Sequence, residues 1–215
     1  MFSNEQLSRF VRWSLICMAL VGSFAAAAKD VVIAQIAPLS GVLASTGRQM
    51  VLGGQIYFDW INDQGGVHGA RIRTLVLDDG YRVDDTVRHA RDLIDRPEVV
   101  ALFGLAGTAN IGKLLADDVL AQGRMPVVAP YTGGDILRTP FNPWIFHVRA
   151  GYVDETEHMV KQLETLGIRR IAVFYQDDAF GKSGLQGAEA ALKRRGLEMA
   201  ASAGYERNTT NVDEA

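Results

Sequence analysis

The sequence predicts an α/β fold built on parallel strands. Apolar runs of strand length recur along the chain, for example VVIAQIAP at residues 31–38 and PVVAPY at residues 126–131. Amphipathic stretches of helical length, such as QMVLGGQIYFDWIN at residues 49–62, separate these runs. Strands that are apolar throughout and alternate with helices are typical of a parallel sheet with helices on both faces, so this is the fold class that we expect.

A first cycle of strands and helices is predicted between Asp30 and Ala150. Glycine or proline marks several of its boundaries: GGVHG follows the first helix, and Pro97 follows the second. Its strands are predicted at residues 31–38, 72–79, 99–104, 126–131 and 144–150. Its helices are predicted at residues 49–62, 84–96 and 109–123.

A second cycle is predicted to start near Tyr152. Asn208 and Thr209 follow it and have the residue types of a cap that opens a further helix. The cycle contains helices at residues 154–167 and 180–196 and strands at residues 169–178 and 197–207. Two strands are too few for a complete lobe, so we expect the chain to be a fragment of a longer gene product or the product of a truncated reading frame.

The composition excludes several classes of protein. The chain has 215 residues, of which 48% are hydrophobic and 22% charged, and this is typical of a globular protein rather than a disordered or fibrous one. The net charge is -3 and the largest basic cluster is KRR at residues 193–195, so nothing favours a nucleic-acid partner.

The N-terminal residues 1–28 are predicted to be a signal peptide. Arg9 and Arg12 precede the apolar stretch WSLICMALVGSF, and small residues lead to a cleavage site after about Ala28. The alternative is a buried helix or a membrane span, but the stretch is shorter than the roughly 20 residues that a bilayer requires. Cys17 is the only cysteine and lies in this segment, so the mature chain is expected to contain no thiol.

One candidate ligand site follows the third strand, in the sequence GLAGTAN at residues 104–110. In an open parallel sheet, ligands bind beyond the carboxyl ends of the strands, where loops meet helix N-termini. Gly107 lets the backbone approach a ligand, and the N–H groups of the helix that begins near Thr108 suit a carboxylate or phosphate. The Thr108 hydroxyl adds a directional hydrogen bond. The alternative is that Thr108 only caps the helix.

Two further strand ends point to the same edge of the sheet. Ser40 lies in APLSG after the first strand, and Tyr131 and Thr132 lie in APYTGG after the fourth strand. Each residue alone is more often a turn residue than a ligand contact. Because they follow strands of the same predicted sheet, together they favour one binding site.

The sequence contains few signs of catalysis. The paired carboxylates Asp78/Asp79 and Asp177/Asp178 follow strands, but without a partner lysine or a nucleophile motif we interpret them as turn formers and helix caps. No GxGxxG, P-loop or GxSxG motif occurs, so we expect no enzyme and no cofactor. The histidines do not have the spacing of metal ligands; they are His68, His89, His147 and His158.

Several of these segments together resemble a known family. IAPLSGVLASTGRQMVLGGQIYFDWINDQGGVHG, LDDG, ALFGLAGTAN and FYQDDAFGKSGL are similar to the type I periplasmic solute-binding proteins of ABC transporters, of the branched-chain amino acid type. The resemblance implies a two-lobed clamp, in which each lobe is a doubly wound parallel sheet flanked by helices. The first lobe would comprise residues 29–149, and the second lobe, here incomplete, would comprise residues 150–215.

The resemblance also implies roles for individual residues. The loop that contains Thr108 and Ala109 would hold a ligand carboxylate through a hydroxyl and backbone N–H groups. The loop that contains Tyr131 and Thr132 would supply a backbone oxygen and a hydroxyl to the ligand's ammonium group. Phe180 would close over the ligand from the second lobe, at a position where the family usually has tyrosine.

Two departures from the family pattern concern specificity and closure. Branched-chain receptors tend to carry an aromatic residue in the first loop, where this sequence has Ser45 and Thr46, so we expect a different preference for the ligand side chain. The acidic residue that pairs with the ammonium group in the family comes from later in the second lobe, beyond Ala215. A ligand ammonium group buried without that partner would cost free energy.

Three functions are compatible with the sequence. The first is an exported periplasmic receptor that delivers an amino acid or a related small carboxylate or amide to an ABC permease in the inner membrane. The second is a ligand-sensing domain of the same fold, used in regulation or chemotaxis. The third is a secreted hydrolase on a flavodoxin-like sheet.

Overall fold

The computed structural model describes residues 29–213, which form two parallel sheets with helices between the strands. The predicted α/β class is therefore confirmed. The predicted signal peptide and Cys17 lie outside the described residues. Among residues 29–213, none of the helices has the length and apolar character required to cross a bilayer.

The first group of elements, here called the five-stranded unit, contains one sheet with the strand order β2-β1-β3-β4-β5, and all its pairs are parallel. Its strands are β1 (Val31–Ala37), β2 (Ile72–Asp78), β3 (Val99–Phe103), β4 (Val127–Val128) and β5 (Ile145–Phe146). Its helices are α1 (Ala44–Asp63), α2 (Val83–Ile94), α3 (Thr108–Ala116) and α4 (Val119–Gly123), and a 3-10 turn spans Asp135–Leu137.

The core of this unit lies where the sheet meets α2, α3 and α4. Strand side chains such as Ala34, Ile36 and Leu102 are fully buried there, and so are Ile111 and Leu114 of α3. These residues are the apolar positions that predicted the strands and helices. Burial of this apolar surface is the main favourable contribution to folding.

The second group, here called the two-stranded unit, contains the parallel strands β6 (Ala172–Gln176) and β7 (Ala201–Tyr205) with the helices α5 (Tyr152–Thr165) and α6 (Ala179–Arg194). Its smaller core consists of Val160, Ile171, Ala191 and Leu192. An open apolar groove of about 470 Å³ runs between α5, α6 and β6. Within residues 29–213 this unit has two strands, against five in the other unit, as expected from the sequence.

The element boundaries differ from the prediction in several places. Helix α1 begins at Ala44, five residues before the predicted start at 49, and its first turn contains Thr46. The helix predicted at residues 109–123 is interrupted, because Asp118 adopts a left-handed conformation with φ 55° between α3 and α4.

The cap predicted at the C-terminal side is also wrong. Asn208 has a left-handed φ of 62°, and no helix follows it within the residues that the structure describes. Residues 209–213, which follow Asn208, contain no helical residue, so Asn208 and Thr209 cap no helix in this part of the chain.

Replacing Leu102 by alanine is expected to lower the free energy of unfolding by about 2–5 kcal/mol, because it leaves a cavity at a fully buried position of β3. Urea denaturation followed by circular dichroism measures the change. The control is Val100→Ala on the same strand, where the side chain is 51% exposed and the expected change is below about 1 kcal/mol. Equal losses in both variants would contradict the placement of the core.

Glu157 is expected to stabilise the packing of α5 on α6 in a pH-dependent manner. Hydrogen bonds from Arg195 and Arg194 lower the pKa of Glu157 from 4.5 to about 2. A carboxylate whose pKa is lower in the folded state stabilises that state above pH 4.5, and the stabilisation is lost as the pH falls from about 4.5 towards about 2.

The stability difference between the wild type and Glu157→Gln is therefore expected to be constant near pH 7 and to shrink as the pH falls to 3. Urea denaturation over this range measures it. Glu189→Gln, at an exposed position of α6, is the control and is expected to show no such trend. A difference that stays constant down to pH 3 would contradict the ion pairs.

Candidate ligand-binding site

The loops after β3 and β4 are joined directly. The Tyr131 backbone N–H donates to the Leu105 carbonyl at 2.7 Å, and a parallel bridge pairs Ala106 with Tyr131. These bonds continue the pairing of the two strands beyond their ends. The structure thus brings together the two loops that the sequence predicted to form one site.

Thr108 and Thr132 form a hydroxyl pair at the centre of this junction. Their Oγ1 atoms are 2.6 Å apart, and both residues are buried. Thr108 is the first residue of α3, Gly107 with φ +100° occupies the capping position, and no side chain caps the helix. The alternative that Thr108 only caps the helix is therefore wrong, because its hydroxyl contacts the neighbouring loop.

The hydroxyl pair retains one donor. The Thr132 Oγ1 also accepts a hydrogen bond from the Gly134 N–H at 3.0 Å. Of the two hydroxyl hydrogens, one lies within the pair, and the other has no acceptor among residues 29–213. A hydroxyl carries one donor and two acceptor positions, so one donor of this buried pair has no partner among the described residues.

The backbone of α3 supplies further donors beside this pair. The first intrahelical bond at this end runs from the Ile111 N–H to the Gly107 carbonyl. The N–H groups of Thr108, Ala109 and Asn110 precede it and receive no side-chain cap. Uncapped N–H groups and the helix dipole give this end of α3 a partial positive charge, which suits an anionic oxygen.

Aromatic rings and one arginine lie on the side of the site that faces the two-stranded unit. The rings of Tyr152 and Phe180 meet edge to face with centroids 5.4 Å apart. The Tyr152 N–H donates to the Gly133 carbonyl at 2.7 Å, which connects these rings to the loop of Thr132. The Arg149 guanidinium lies 5.5 Å from the Tyr152 ring centroid and 6.0 Å from that of Tyr131.

Arg149 and Tyr152 were not predicted from the sequence. The only indication in the sequence was their position next to the predicted junction of the two lobes, because ligand clefts often lie between domains. Phe180, which was predicted from the family resemblance, lies in the first turn of α6 and is 40% exposed.

Ser40 and Thr46 lie in the loop and helix after β1, apart from the paired loops after β3 and β4. Ser40 is exposed, and its N–H donates at 3.2 Å to Asp78 at the end of β2, on the side of β1 away from β3. Burial raises the pKa of Asp78, but hydrogen bonds from the Ser40 side chain and from the backbone N–H groups, Gly80 among them, outweigh it and lower the pKa. Thr46 is partly buried within α1.

The paired carboxylates act as turn formers and caps, as predicted. The Asp178 Oδ1 accepts from the Phe180 and Gly181 N–H groups at the start of α6, and Asp79 accepts from the Tyr81 N–H at 2.9 Å. Asp79 is 1% exposed, and burial raises its pKa. In the part of the chain that the structure describes, no group of three or more potential metal-ligating side chains is placed to hold an ion.

Two parallel-sheet units with uncapped helix donors and aromatic rings at the strand ends are typical of an α/β ligand-binding protein. The sequence profile of the family "Periplasmic binding protein" matches residues 30–215. The chain belongs to this family, and the resemblance stated from the sequence is confirmed.

Individual relatives agree with this assignment. The Leu/Ile/Val-binding protein homolog 7 from Brucella suis biovar 1 is 28% identical over 209 residues, which are 93% of this chain and 51% of the relative. A substrate-binding periplasmic protein from Ralstonia solanacearum has a crystal structure with a TM-score of 0.82 and 42% identity over 86% of this chain and 52% of that one.

A possible leucine/isoleucine/valine-binding protein from Rhodopirellula baltica has a TM-score of 0.81 and 28% identity, over 89% of this chain and 52% of that one. The chain thus spans about half the length of the relatives that it matches.

Replacing Thr132 by valine is expected to lower the free energy of unfolding by about 1–3 kcal/mol, because the Thr108 hydroxyl and the Gly134 N–H lose their buried partner. Chemical denaturation measures the loss. Thr210→Val is the control at an exposed position, with an expected change within about 0.5 kcal/mol. A Thr132→Val variant as stable as this control would contradict the hydroxyl pair.

Proposed function

We propose that this chain belongs to an exported receptor that captures an amino acid, or a related small carboxylate or amide, between two lobes and delivers it to an ABC permease. The observation that carries the proposal is the Thr108–Thr132 hydroxyl pair beside the uncapped start of α3. Its spare O–H and the adjacent N–H groups form a compact set of donors for two carboxylate or amide oxygens.

The other end of the ligand would meet acceptors and apolar surface. The backbone oxygen of Tyr131 and the Thr132 hydroxyl lie in the same loop and are proposed to accept from the ammonium group. Phe180 and Tyr152, in contact with each other, present ring surface for the ligand side chain. Gly107, Ser40 and Thr46 are retained as proposed lining residues: Gly107 through its backbone, and the other two from the loop and helix after β1.

The two sheets correspond to the two proposed lobes. The proposed division places residues 29–149 in the first lobe and residues 150–215 in the second. The five-stranded sheet ends at Phe146 and the next strand begins at Ala172, and this separation supports a boundary in the segment between them. In this arrangement the ligand would be held by non-covalent contacts alone, without catalysis.

The cellular part of the proposal rests on the N-terminal sequence and on the family. Residues 1–28 are proposed to direct export and then to be cleaved, which would place the receptor in the periplasm. Several relatives are named as Leu/Ile/Val-binding proteins or their homologues. These names support an amino acid as the ligand class, and the inner-membrane permease is proposed as the partner from the family resemblance.

Isothermal titration calorimetry of the full 215-residue chain against the common amino acids, their amides and small monocarboxylates tests the proposal. At least one of these compounds is expected to bind. Thr108→Val is expected to weaken the binding about tenfold or more, because hydrogen bonds to charged groups are worth about 1.5–3 kcal/mol. Circular dichroism confirms that the variant is folded at the temperature of the titration.

Thr210→Val is the matched control and is expected to bind like the wild type, because Thr210 is exposed and outside the site. A folded wild-type chain that binds none of the compounds would overturn the proposed ligand class. Wild-type affinity in folded Thr108→Val would overturn the proposed role of the hydroxyl pair.

A further inference from the structure

Arg207 connects the two sheets. It follows β7 in the two-stranded unit, but its guanidinium lies against the five-stranded unit. One terminal nitrogen, Nη2, donates to the Tyr81 carbonyl and to the Asn110 Oδ1, both at 2.6 Å. The guanidinium carbon lies 3.8 Å from the centroid of the Tyr81 ring, within the range of a cation–π interaction.

The same guanidinium is anchored in its own unit. Its other terminal nitrogen, Nη1, lies 3.2 Å from the Asp178 Oδ2, and the side chains of Arg207 and Asp178 are 14% and 10% exposed. Asp178 also caps α6 and accepts from the Gln176 amide at 2.6 Å. The arginine is therefore fixed to the start of the helix that carries Phe180.

A chain of hydrogen bonds continues from Arg207 into the five-stranded unit. The Asn110 amide donates to the Thr86 hydroxyl at 2.7 Å, and this hydroxyl lies 2.5 Å from the Asp79 Oδ2. Asn110, Thr86 and Asp79 are at most 1% exposed. The chain is directional, because each neutral group accepts from the arginine side and donates towards the carboxylate, and such an arrangement polarises its members cooperatively.

This network lies against the turn that starts α3. A Cβ atom on Gly107 would lie 2.4 Å from the Asn110 Oδ1 and 2.9 Å from the Tyr81 ring. The two residues that contact Arg207 therefore also lie directly against the backbone of Gly107, which precedes Thr108. A displacement of Arg207 would be transmitted to the donors of the candidate site by direct contact.

We propose that Arg207 is a positioning residue that stabilises the mutual orientation of the two units seen in this structure and, through Asn110 and Tyr81, holds the Gly107–Thr108 turn in its ligand-binding geometry. The part that concerns the ligand rests on the function proposed above. The part that concerns the orientation of the units is independent of any ligand. An arginine suits this role, because the two terminal nitrogens of its planar guanidinium can donate to several acceptors in different directions.

The test replaces Arg207 by glutamine and by lysine. Arg195→Gln is the matched control: the Arg195 side chain is 13% exposed and ion-paired with Glu157 and Glu164, all within the two-stranded unit.

The distance between the two units is measured by pulsed electron paramagnetic resonance. The spin labels are attached to Arg96→Cys and Lys193→Cys in a Cys17→Ser background of the full chain. Both label positions are exposed.

Arg207→Gln is expected to shift or broaden the distance distribution, whereas Arg195→Gln leaves it unchanged although both lose stability. Arg207→Lys is expected to behave like Arg207→Gln, because a single ammonium nitrogen cannot occupy both the Nη1 position next to Asp178 and the Nη2 position next to Asn110 and the Tyr81 carbonyl. For a ligand that the wild type binds, Arg207→Gln is also expected to raise the dissociation rate about tenfold or more, with Arg195→Gln near the wild-type rate.

An unchanged distance distribution in Arg207→Gln would overturn the proposed role of Arg207 in orienting the two units, whether or not a ligand is known. If Arg207→Lys has the wild-type distance distribution, the positive charge is sufficient, and the proposed requirement for the shape of the guanidinium is overturned. A shifted distribution with an unchanged dissociation rate would overturn the transmission to Gly107 and Thr108. If the wild type binds no ligand, the proposed function fails, while the distance measurement still decides the role of Arg207.

Discussion

The parallel pairing of β3 with β4 is the interaction on which the candidate site depends. Leu102 pairs with Val127 and Phe103 with Val128, so both strands end at the same edge of the sheet. The hydrogen bond from the Tyr131 N–H to the Leu105 carbonyl then continues the pairing into the two loops beyond the strands. Without that alignment, the Thr108 and Thr132 hydroxyls, 24 residues apart in sequence, would not meet.

The hydrogen-bond donors of the candidate site are dipolar groups with partial charges rather than ionised side chains. Hydroxyl and backbone N–H groups surround the start of α3, and the nearby charged side chains are paired: Arg207 with Asp178, and Arg149 with Glu155. Burying a full charge against a ligand carries a desolvation cost that dipolar donors largely avoid. Such donors would suit the carboxylate of the ligand proposed above.

Several contacts between the two units are polar. Besides Arg207, the Gln176 amide lies 3.5 Å from the Tyr81 hydroxyl, and the Ser183 hydroxyl lies 3.3 Å from the Asp135 carboxylate. Interfaces of this kind allow units of one chain to move relative to each other, unlike a large apolar core. The apolar groove of the two-stranded unit lies beside β6 and reaches this contact, because Gln176 and Phe180 are among its lining residues.

The sequence by itself determined the fold class and identified the loops that meet at the candidate site. Apolar runs and helical periodicity are local signals, and in a parallel sheet they also decide which loops share an edge, so Thr108, Tyr131 and Thr132 could be assigned together. The start of α1 at Ala44 and the break at Asp118 escaped prediction, because single backbone conformations leave no periodic trace. Only the tertiary structure decided that Thr108 contacts Thr132 instead of capping α3, and that Arg207 contacts Tyr81, 126 residues earlier in the chain. Such contacts depend on the packing of whole elements against one another, which no local pattern of residues encodes.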